Sequence, residues 1–314
     1  MIWLIGCNGM LGKEVAKQLE KNGLNFIGSD KEVDITSYEA LEKFESSIET
    51  SFYLNTSTND KHITWIINCS AYTNVDKAEE EEDIARKINY DGVLNIARIA
   101  RHIGAKLIHI STDYVFGGNG TSPYTEEMKK EPLGAYGRTK SEGEDAIQKE
   151  MTQYYILRTA WLYGFDGKNF VYTMTKLMNS HDSIKVVNDQ KGTPTCAVDL
   201  ASAILRLIDK SDNAKTFFGK NSIPAYGIYH FTDEGQTTWY DFACEIYKLG
   251  KKYGFITQNC EITPCSTEEY GAKVQRPSYS VLSKEKIKKE LKFKIPEWQS
   301  SLDSFMKNKR FNLI

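Results

Sequence analysis

The first half of the chain alternates short, largely apolar runs with longer stretches in which apolar residues recur every three or four positions. The short runs predict strands at 2–5, 25–29, 63–68, 106–111 and 154–159. The longer stretches predict helices at 11–22, 37–48, 83–103 and 135–150. Apolar strands that alternate with helices are typical of βαβ units, whose parallel sheet is covered on both faces. We therefore predict an α/β fold, a Rossmann-type doubly wound parallel sheet.

The pattern changes after about residue 165, where glycine and proline turns become denser. Short extended segments there are mixed with helices predicted at 169–179, 197–210, 238–253 and 298–308. We expect 1–165 to form the Rossmann domain, completed by parts of 195–235. We expect 166–314 to form mainly a smaller α/β domain that is interleaved with it.

Composition narrows the class of protein. Of the 314 residues, 40% are hydrophobic and 26% charged, which is enough apolar matter for a sizeable core and excludes overall disorder. The formal net charge of −2 gives no electrostatic reason to expect nucleic acid or an anionic membrane as partner. The apolar run at the start stops at Gly6 without a preceding basic region, and six scattered cysteines form no CxxC motif. We expect a cytoplasmic protein with reduced thiols.

A glycine-rich turn, Gly6-Cys7-Asn8-Gly9-Met10-Leu11-Gly12, lies between the first strand and the first helix. In this position Gly6 permits a tight turn, Gly9 lets a pyrophosphate approach the helix N-terminus, and Gly12 allows close helix packing. Asp30 follows the second strand, where it can accept hydrogen bonds from a ribose; its charge favours NADH over NADPH. The first domain is therefore predicted to bind a dinucleotide, the alternative being a structural glycine turn without cofactor.

A second signal is Tyr136-Gly137-Arg138-Thr139-Lys140 on a predicted helix. Residues four apart share one helix face, so the phenol and the ammonium can act at one site. A nearby cation lowers the pKa of a tyrosine, which otherwise is a poor acid–base catalyst at neutral pH. The pair gains weight from Ser111-Thr112-Asp113 at the carboxyl end of a predicted strand, where open α/β sheets bind ligands.

These motifs resemble the extended short-chain dehydrogenase/reductase family. Within it the resemblance is closer to the branch that reduces 4-keto sugar nucleotides of the dTDP-rhamnose type. The matching stretches run nearly end to end: 6–12, 68–78, 111–116, 136–140, 158–163, 187–194, 227–230, 237–241 and Arg276-Pro277.

The resemblance implies an NADPH- or NADH-dependent oxidoreductase that reduces the C4 ketone of dTDP-4-dehydro-L-rhamnose to dTDP-L-rhamnose. Tyr136 would donate the proton, Thr112 would polarise the carbonyl oxygen, and Lys140 would bind the nicotinamide ribose and lower the pKa of Tyr136. The implied substrate contacts, in the smaller domain and at the sheet edge, are Thr112, Asp113, Trp161 and Arg276. The implied cofactor contacts are Gly6, Gly9, Met10, Leu11, Gly12, Asp30, Asp34, Ile35, Ala71, Tyr72, Thr73, Tyr136 and Lys140.

Several of these residues also have a purely structural interpretation. Thr112 can end a strand, Asp113 can cap a turn, and Trp161 can fill a core. Asn89 matches a position that supports the active site through a bound water, and it can equally be an ordinary helix residue. His109 alternates inside a strand and is interpreted as a core residue with satisfied hydrogen bonds.

The resemblance leaves other functions open. One is a different nucleotide-sugar enzyme of this fold, a 4-ketoreductase, 4-epimerase or 4,6-dehydratase; Tyr114 argues against the dehydratase, which would carry Glu there. Another is a non-catalytic regulatory subunit. We predict no metal, although Glu14 matches one position of an interfacial Mg²⁺ site in some relatives, and we leave a homodimer open. The connection at 45–62 is longer than in relatives and is expected to lie on the surface.

Overall fold

The computed structural model of the protein describes residues 1–55, 62–213, 223–272 and 274–312, with side chains for all of these except 49–55. The strands are β1 (Ile2–Ile5), β2 (Phe26–Ser29), β3 (Trp65–Asn68), β4 (Lys106–Thr112), β5 (Tyr154–Thr159), β6 (Leu162–Tyr163), β7 (Ser183–Val187), β8 (Lys191–Gly192), β9 (Thr195–Cys196), β10 (Gly227–His230), β11 (Thr237–Thr238) and β12 (Glu261–Cys265). The α-helices are α1 (Met10–Lys21), α2 (Tyr38–Asn55), α3 (Val75–Ala78), α4 (Glu82–Arg86), α5 (Val93–His102), α6 (Ala135–Glu150), α7 (Phe170–Met178), α8 (Ala197–Asp212), α9 (Trp239–Tyr253), α10 (Thr267–Tyr270), α11 (Glu285–Leu291) and α12 (Trp298–Lys307).

Six strands form one sheet in the order β10-β5-β4-β3-β1-β2, and every neighbouring pair is parallel. The chain moves outward from β1 to β2 and then returns to the other side of β1 with β3. This reversal of strand order is the place where open α/β sheets form a ligand crevice at their carboxyl ends. In the register, Ile5 lies opposite both Ser29 and Asn68, so the loops after β1, β2 and β3 meet at one level.

Helices cover both faces of the sheet, as the uniformly apolar strands require. On one face, Leu11, Val15 and Leu19 of α1 pack with the apolar side of α8 against β1 and β3. On the other face, α2, α5 and α6 bury residues such as Leu41 and Ile147. The Rossmann-type fold predicted from the alternating pattern is confirmed.

The second half of the chain contributes to two layers. The segment α8 packs on α1 and β10 completes the sheet beside β5, although both come after residue 165. A separate core forms around α7, α9 and α12, where Phe242, Leu302 and Phe305 are buried with Tyr163. The cleft between this core and the sheet edge is where the two halves of the chain can share a site.

Two predicted elements differ from the structure. The single helix predicted at 83–103 is divided by a π-helical turn over Lys87–Gly92. The helix predicted at 37–48 continues to Asn55, so part of the expected surface excursion at 45–62 is helical, and residues 56–61 lie outside the described residues. Within the described ranges, the structure contains no helix with the length and apolar character that a membrane span requires.

Candidate active site

The glycine turn after β1 is built for close approach of backbone to backbone. Gly6 has φ +77°, a conformation that favours glycine. A Cβ on Gly12 would lie 2.0 Å from the Gly6 carbonyl oxygen, so only glycine lets α1 start this close to the strand. Helix α1 begins after Gly9, and no side chain caps this N-terminus. Its first N–H groups are therefore open to an anionic group, as a dinucleotide pyrophosphate requires.

A cleft of about 820 Å³ lies beside this turn. The side chain of Asp30 is fixed at its rim, where Oδ2 accepts a hydrogen bond from the Asn8 backbone N–H at 3.0 Å. Lys31 also lines the cleft, so a cation stands next to the acidic residue that we expected to disfavour a 2′-phosphate. Six of the predicted cofactor residues line the cleft: Gly6, Gly9, Asp30, Asp34, Ile35 and Ala71.

The other predicted cofactor residues lie around this cleft rather than on its wall. Leu11 and Gly12 are buried, and Met10 faces Gly164 at the start of the second half of the chain. Tyr72 and Tyr136 pack against the same cluster of buried alanines, and Thr73 is exposed. Tyr72 and Thr73 thus mark the path from the cleft toward the catalytic helix.

The predicted catalytic residues Thr112 and Tyr136 are brought together. Thr112 ends β4 and Tyr136 lies in the first turn of α6, close enough for the Thr112 hydroxyl to influence the pKa of Tyr136. Burial raises the pKa of Tyr136 to about 12, against the lowering effect of the Thr112 hydroxyl. We expected Lys140 to lower this pKa; in the cofactor-free protein desolvation outweighs any such effect. Tyr136 therefore holds its proton firmly at neutral pH.

Lys140 lies one turn further along α6 and is 1% exposed. Its Nζ donates to the Ile110 carbonyl oxygen at 2.6 Å and lies 3.2 Å from Nε2 of His109. Burial lowers the pKa of Lys140 to about 8. The Lys140 charge in turn opposes the effect of burial on Cys69, a residue of the cleft wall. Lys140 therefore lies behind Cys69, at the inner side of the cleft wall.

Asn89 is neither an isolated helix residue nor remote from the site. It lies in the π-helical turn, where its Oδ1 accepts from the Tyr72 backbone N–H at 2.9 Å and its Nδ2 donates to Thr139 Oγ1 at 3.2 Å. A Cβ on Gly143 would lie 2.2 Å from the Asn89 carbonyl oxygen, so α6 packs directly against the π turn. Asn89 thus ties the loop after β3 to the helix that carries Tyr136 and Lys140.

A buried ion pair below the site is not apparent from the motifs alone. Glu144 and Arg158 are joined by two hydrogen bonds of 2.8 and 2.7 Å, and Ser111 donates to Glu144 at 2.6 Å. Burial alone would raise the pKa of Glu144, but the hydrogen bonds and charge of Arg158 outweigh burial and lower it. The spacing 136, 140, 144 places Glu144 on the same helix face as the catalytic pair, and that signal was available in the sequence.

Two of the predicted substrate residues, Thr112 and Asp113, lie at the end of β4. Asp113 is 2% exposed, and burial raises its pKa to about 6. Its Oδ1 accepts from Thr112 at 3.0 Å, whereas Oδ2 is buried without a hydrogen-bond partner. A buried carboxylate oxygen without a donor is costly, and a sugar hydroxyl is a donor that would satisfy it.

Trp161 and Arg276 come from the second half of the chain. Trp161 has φ +48°, which is strained for a bulky residue, and its ring stacks on Trp239 with centroids 3.6 Å apart. Arg276 donates to the Asp76 carboxylate at 3.1 and 3.2 Å, while its Nε is buried without a partner. Both the strain and the unused donor are typical of a ligand-binding position.

Among the described residues, His, Cys, Asp and Glu side chains form no group of three that could hold a metal ion. Glu14 instead accepts a hydrogen bond from Arg310 at 2.7 Å.

Comparison with known proteins places this site in a family. The family model described as "RmlD substrate binding domain" matches residues 1–311. The spore coat polysaccharide biosynthesis protein SpsK of Bacillus subtilis is 35% identical over 308 residues, which are 98% of this chain and 97% of that protein.

Solved structures of similar proteins match the same span. A dTDP-4-dehydrorhamnose reductase of Clostridium acetobutylicum is 41% identical, with a TM-score of 0.83 over 97% of this chain and 98% of that chain. A dTDP-4-dehydrorhamnose reductase of Bacillus anthracis, solved in complex with NADP, is 34% identical, with the same TM-score and the same coverage.

Proposed function

The chain belongs to the RmlD substrate binding domain family, and from that premise we propose that it is an NAD(P)H-dependent ketoreductase of nucleotide sugars. Its substrate is dTDP-4-dehydro-L-rhamnose, reduced at C4 to dTDP-L-rhamnose. The observation that carries the proposal is the meeting of Thr112, at the carboxyl end of β4, with Tyr136, at the start of α6, at the sheet edge that also forms the dinucleotide cleft.

Tyr136 is the proton donor. As hydride reaches C4, negative charge develops on the carbonyl oxygen, and a hydroxyl aimed at that oxygen stabilises it most in the transition state. Because burial keeps the pKa of Tyr136 near 12, the phenol enters the reaction protonated. Thr112, held by the N–H of Tyr114 at 3.2 Å, supplies a second polar group beside the same oxygen.

The cofactor fits the residues present, because Gly6, Gly9 and Gly12 leave room for a pyrophosphate at the start of α1. A reduced nicotinamide dinucleotide supplies the hydride when bound there. Asp30 is in place to bind the adenosine ribose, and Lys31 lies beside it in the same wall. We therefore keep both NADH and NADPH as cofactors. Lys140 directs its amine from the buried side of the cleft toward the nicotinamide ribose.

The sugar nucleotide is held by residues at the end of β4 and by residues further along the chain. Asp113 offers its unpaired Oδ2 to a sugar hydroxyl. Trp161, stacked on Trp239 and lying against Gly192, offers the exposed part of its indole to the apolar side of a deoxysugar. Arg276 offers its unused Nε to a phosphate. The exchange of Asp76 for a phosphate at Arg276 is a direct route from the ligand-free to the bound site.

The proposal is tested by following NADH and NADPH oxidation with a panel of sugar nucleotides. The panel holds dTDP-4-dehydro-L-rhamnose, a UDP-linked 4-keto-6-deoxyhexose and dTDP-glucose, which has no ketone. We expect turnover of the dTDP-linked ketone, with dTDP-L-rhamnose identified by NMR, and none of dTDP-glucose. Faster turnover of another ketone would move the substrate within the class, while binding without turnover would favour a regulatory subunit.

We also propose a cytoplasmic location and leave a homodimer open. Six free cysteines support a reducing compartment such as the cytoplasm. Light scattering during size-exclusion chromatography decides between monomer and homodimer.

A further inference from the structure

We propose that His109 is a positioning residue that holds the Lys140 amine as a hydrogen-bond acceptor, so that Lys140 is uncharged in the cofactor-free site. These hydrogen bonds are a property of the folded chain alone, and their meaning for catalysis rests on the proposed function. A row of hydrogen-bonded side chains runs behind the catalytic helix: Ser70, Asn68, His109 and Lys140.

The orientation of the Asn68 amide is fixed by the backbone. Ser70 donates its backbone N–H to Asn68 Oδ1 at 2.9 Å and its hydroxyl to the same oxygen at 2.6 Å. A backbone N–H can only donate, so oxygen and nitrogen of this amide cannot be exchanged without placing two donors against each other. Asn68 Nδ2 therefore points at Nδ1 of His109, at 3.0 Å.

This contact fixes the tautomer of His109. The ring is fully buried, and burial sets its pKa well below the usual range, so the imidazole is neutral. A neutral imidazole has one N–H and one acceptor nitrogen. Because Nδ1 accepts from Asn68, the proton is on Nε2, the nitrogen 3.2 Å from Lys140.

A lysine that faces an N–H must accept. An uncharged amine has a lone pair for the Nε2–H of His109 and two N–H groups, one of which donates to the Ile110 carbonyl oxygen at 2.6 Å. An ammonium has three donors and no acceptor. Two other ionisable groups, Glu144 and Cys69, favour the charge of Lys140, but less than burial disfavours it.

The competing state pairs a charged Lys140 with the reversed tautomer of His109. That state sets the Nδ1–H of His109 against the N–H of Asn68 and leaves two buried donors unpaired. Each such donor disfavours a state on the order of tenfold to a hundredfold. Since burial brings the pKa of Lys140 to about 8, losing its proton at pH 7 is only about tenfold unfavourable. The uncharged amine is therefore the dominant form, and its remaining N–H has one direction left, toward the cleft.

The direct test is the tautomer of His109 in the full-length, cofactor-free protein, read from ¹⁵N–¹H correlation spectra of histidine-labelled material at pH 7. His230 is an internal reference, because its contacts require the opposite tautomer. Its Nδ1 lies 3.1 Å from the Tyr124 carbonyl oxygen and its Nε2 3.4 Å from the Arg158 guanidinium, so its proton must be on Nδ1. The variants His109→Gln and His230→Gln assign the two signals.

We expect the proton of His109 on Nε2 and that of His230 on Nδ1. A proton on Nδ1 of His109 overturns the proposal and leaves the reductase assignment untouched. Absence of ketone reduction, with the expected tautomer, overturns the proposed function and leaves the positioning of Lys140 intact.

A second variant is designed to reverse the direction of the hydrogen bonds between Asn68, His109 and Lys140. In Asn68→Asp a carboxylate oxygen accepts from Nδ1–H, Nε2 becomes an acceptor, and the ammonium form of Lys140 gains a partner. We expect the His109 proton to move to Nδ1 in the cofactor-free variant, read from the same ¹⁵N–¹H spectra. An unmoved tautomer contradicts the proposal. If this variant does not fold, the tautomer of the unaltered protein decides alone.

Discussion

Glu144 and Arg158 form a buried ion pair, and removing the charge of Glu144 should lower the free energy of unfolding. The substitution Glu144→Gln keeps the shape of the side chain and removes its charge. Glu144 is 0% and Arg158 1% exposed, so water cannot replace the lost counter-charge. Ser111 also donates to Glu144, which links the pair to the end of β4 beside Thr112.

The expected loss follows from leaving a guanidinium buried without its counter-charge. Breaking a buried pair by changing one partner lowers the free energy of unfolding by about 3–5 kcal/mol. Gln can still accept one hydrogen bond through its amide oxygen, so we expect the lower end, about 3 kcal/mol. This corresponds to roughly a hundredfold change in the folding equilibrium.

The assay is equilibrium unfolding in urea, followed by circular dichroism. The control is Glu245→Gln, which removes the charge from the surface pair with Lys248, whose side chain is 71% exposed. That change should alter the free energy of unfolding by no more than about 1 kcal/mol. The double variant Glu144→Leu with Arg158→Met should be more stable than Glu144→Gln, because neither charge stays buried alone. If Glu144→Gln and Glu245→Gln lowered the free energy of unfolding equally, burial of the Glu144–Arg158 pair would have no special effect on stability, contrary to this prediction.

Three further predictions follow from the cleft. Gly12→Ala places a Cβ 2.0 Å from the Gly6 carbonyl oxygen, so we expect cofactor affinity, measured by fluorescence titration, to fall at least tenfold; unchanged affinity would show that the turn has room to relax. Asp30→Ala should weaken NADH more than NADPH in the same titration, and equal losses would show that Asp30 does not contact the ribose. The pKa of Asp113, raised to about 6 by burial, means that the folded state binds this proton more tightly than the unfolded state. The stability it contributes is full below about pH 4 and is lost as pH rises through 6, on the order of 3 kcal/mol. Urea unfolding of Asp113→Asn should lack this part of the pH dependence, and an identical profile would contradict the burial argument.

Most of the fold was predictable because local pattern and global architecture agree. The uniformly apolar strands and the helical spacing between them fixed nearly all element positions in the first half of the chain. The π turn at Lys87–Gly92 was not predictable; its Asn89 carbonyl packs against Gly143 of α6, a contact between residues far apart in sequence. The apolar spacing of 83–103 is the same with or without it.

The candidate site likewise has features that could be predicted from the sequence and features that could not. The glycine turn and the Tyr136–Lys140 spacing depend on neighbours in sequence, and their positions could be predicted. The pKa of Tyr136 could not, because desolvation depends on everything packed around the ring. His109 was interpreted as a satisfied core residue, and it is buried and hydrogen-bonded. Its contact with Lys140 joins a strand to a helix 31 residues later and leaves no local signal.

In the proposed reaction, Tyr136 gives its proton to the carbonyl oxygen of a keto-sugar. The most direct measurement is kcat for dTDP-4-dehydro-L-rhamnose in Tyr136→Phe, together with the cofactor dissociation constant. Tyr155→Phe, which also loses a buried hydroxyl but far from the cleft, bonded to the Pro224 carbonyl, is the control. We predict that kcat falls by about 10²–10⁴ in Tyr136→Phe, with cofactor affinity nearly intact and Tyr155→Phe fully active. A Tyr136→Phe enzyme with the kcat of the unaltered protein would contradict the claim.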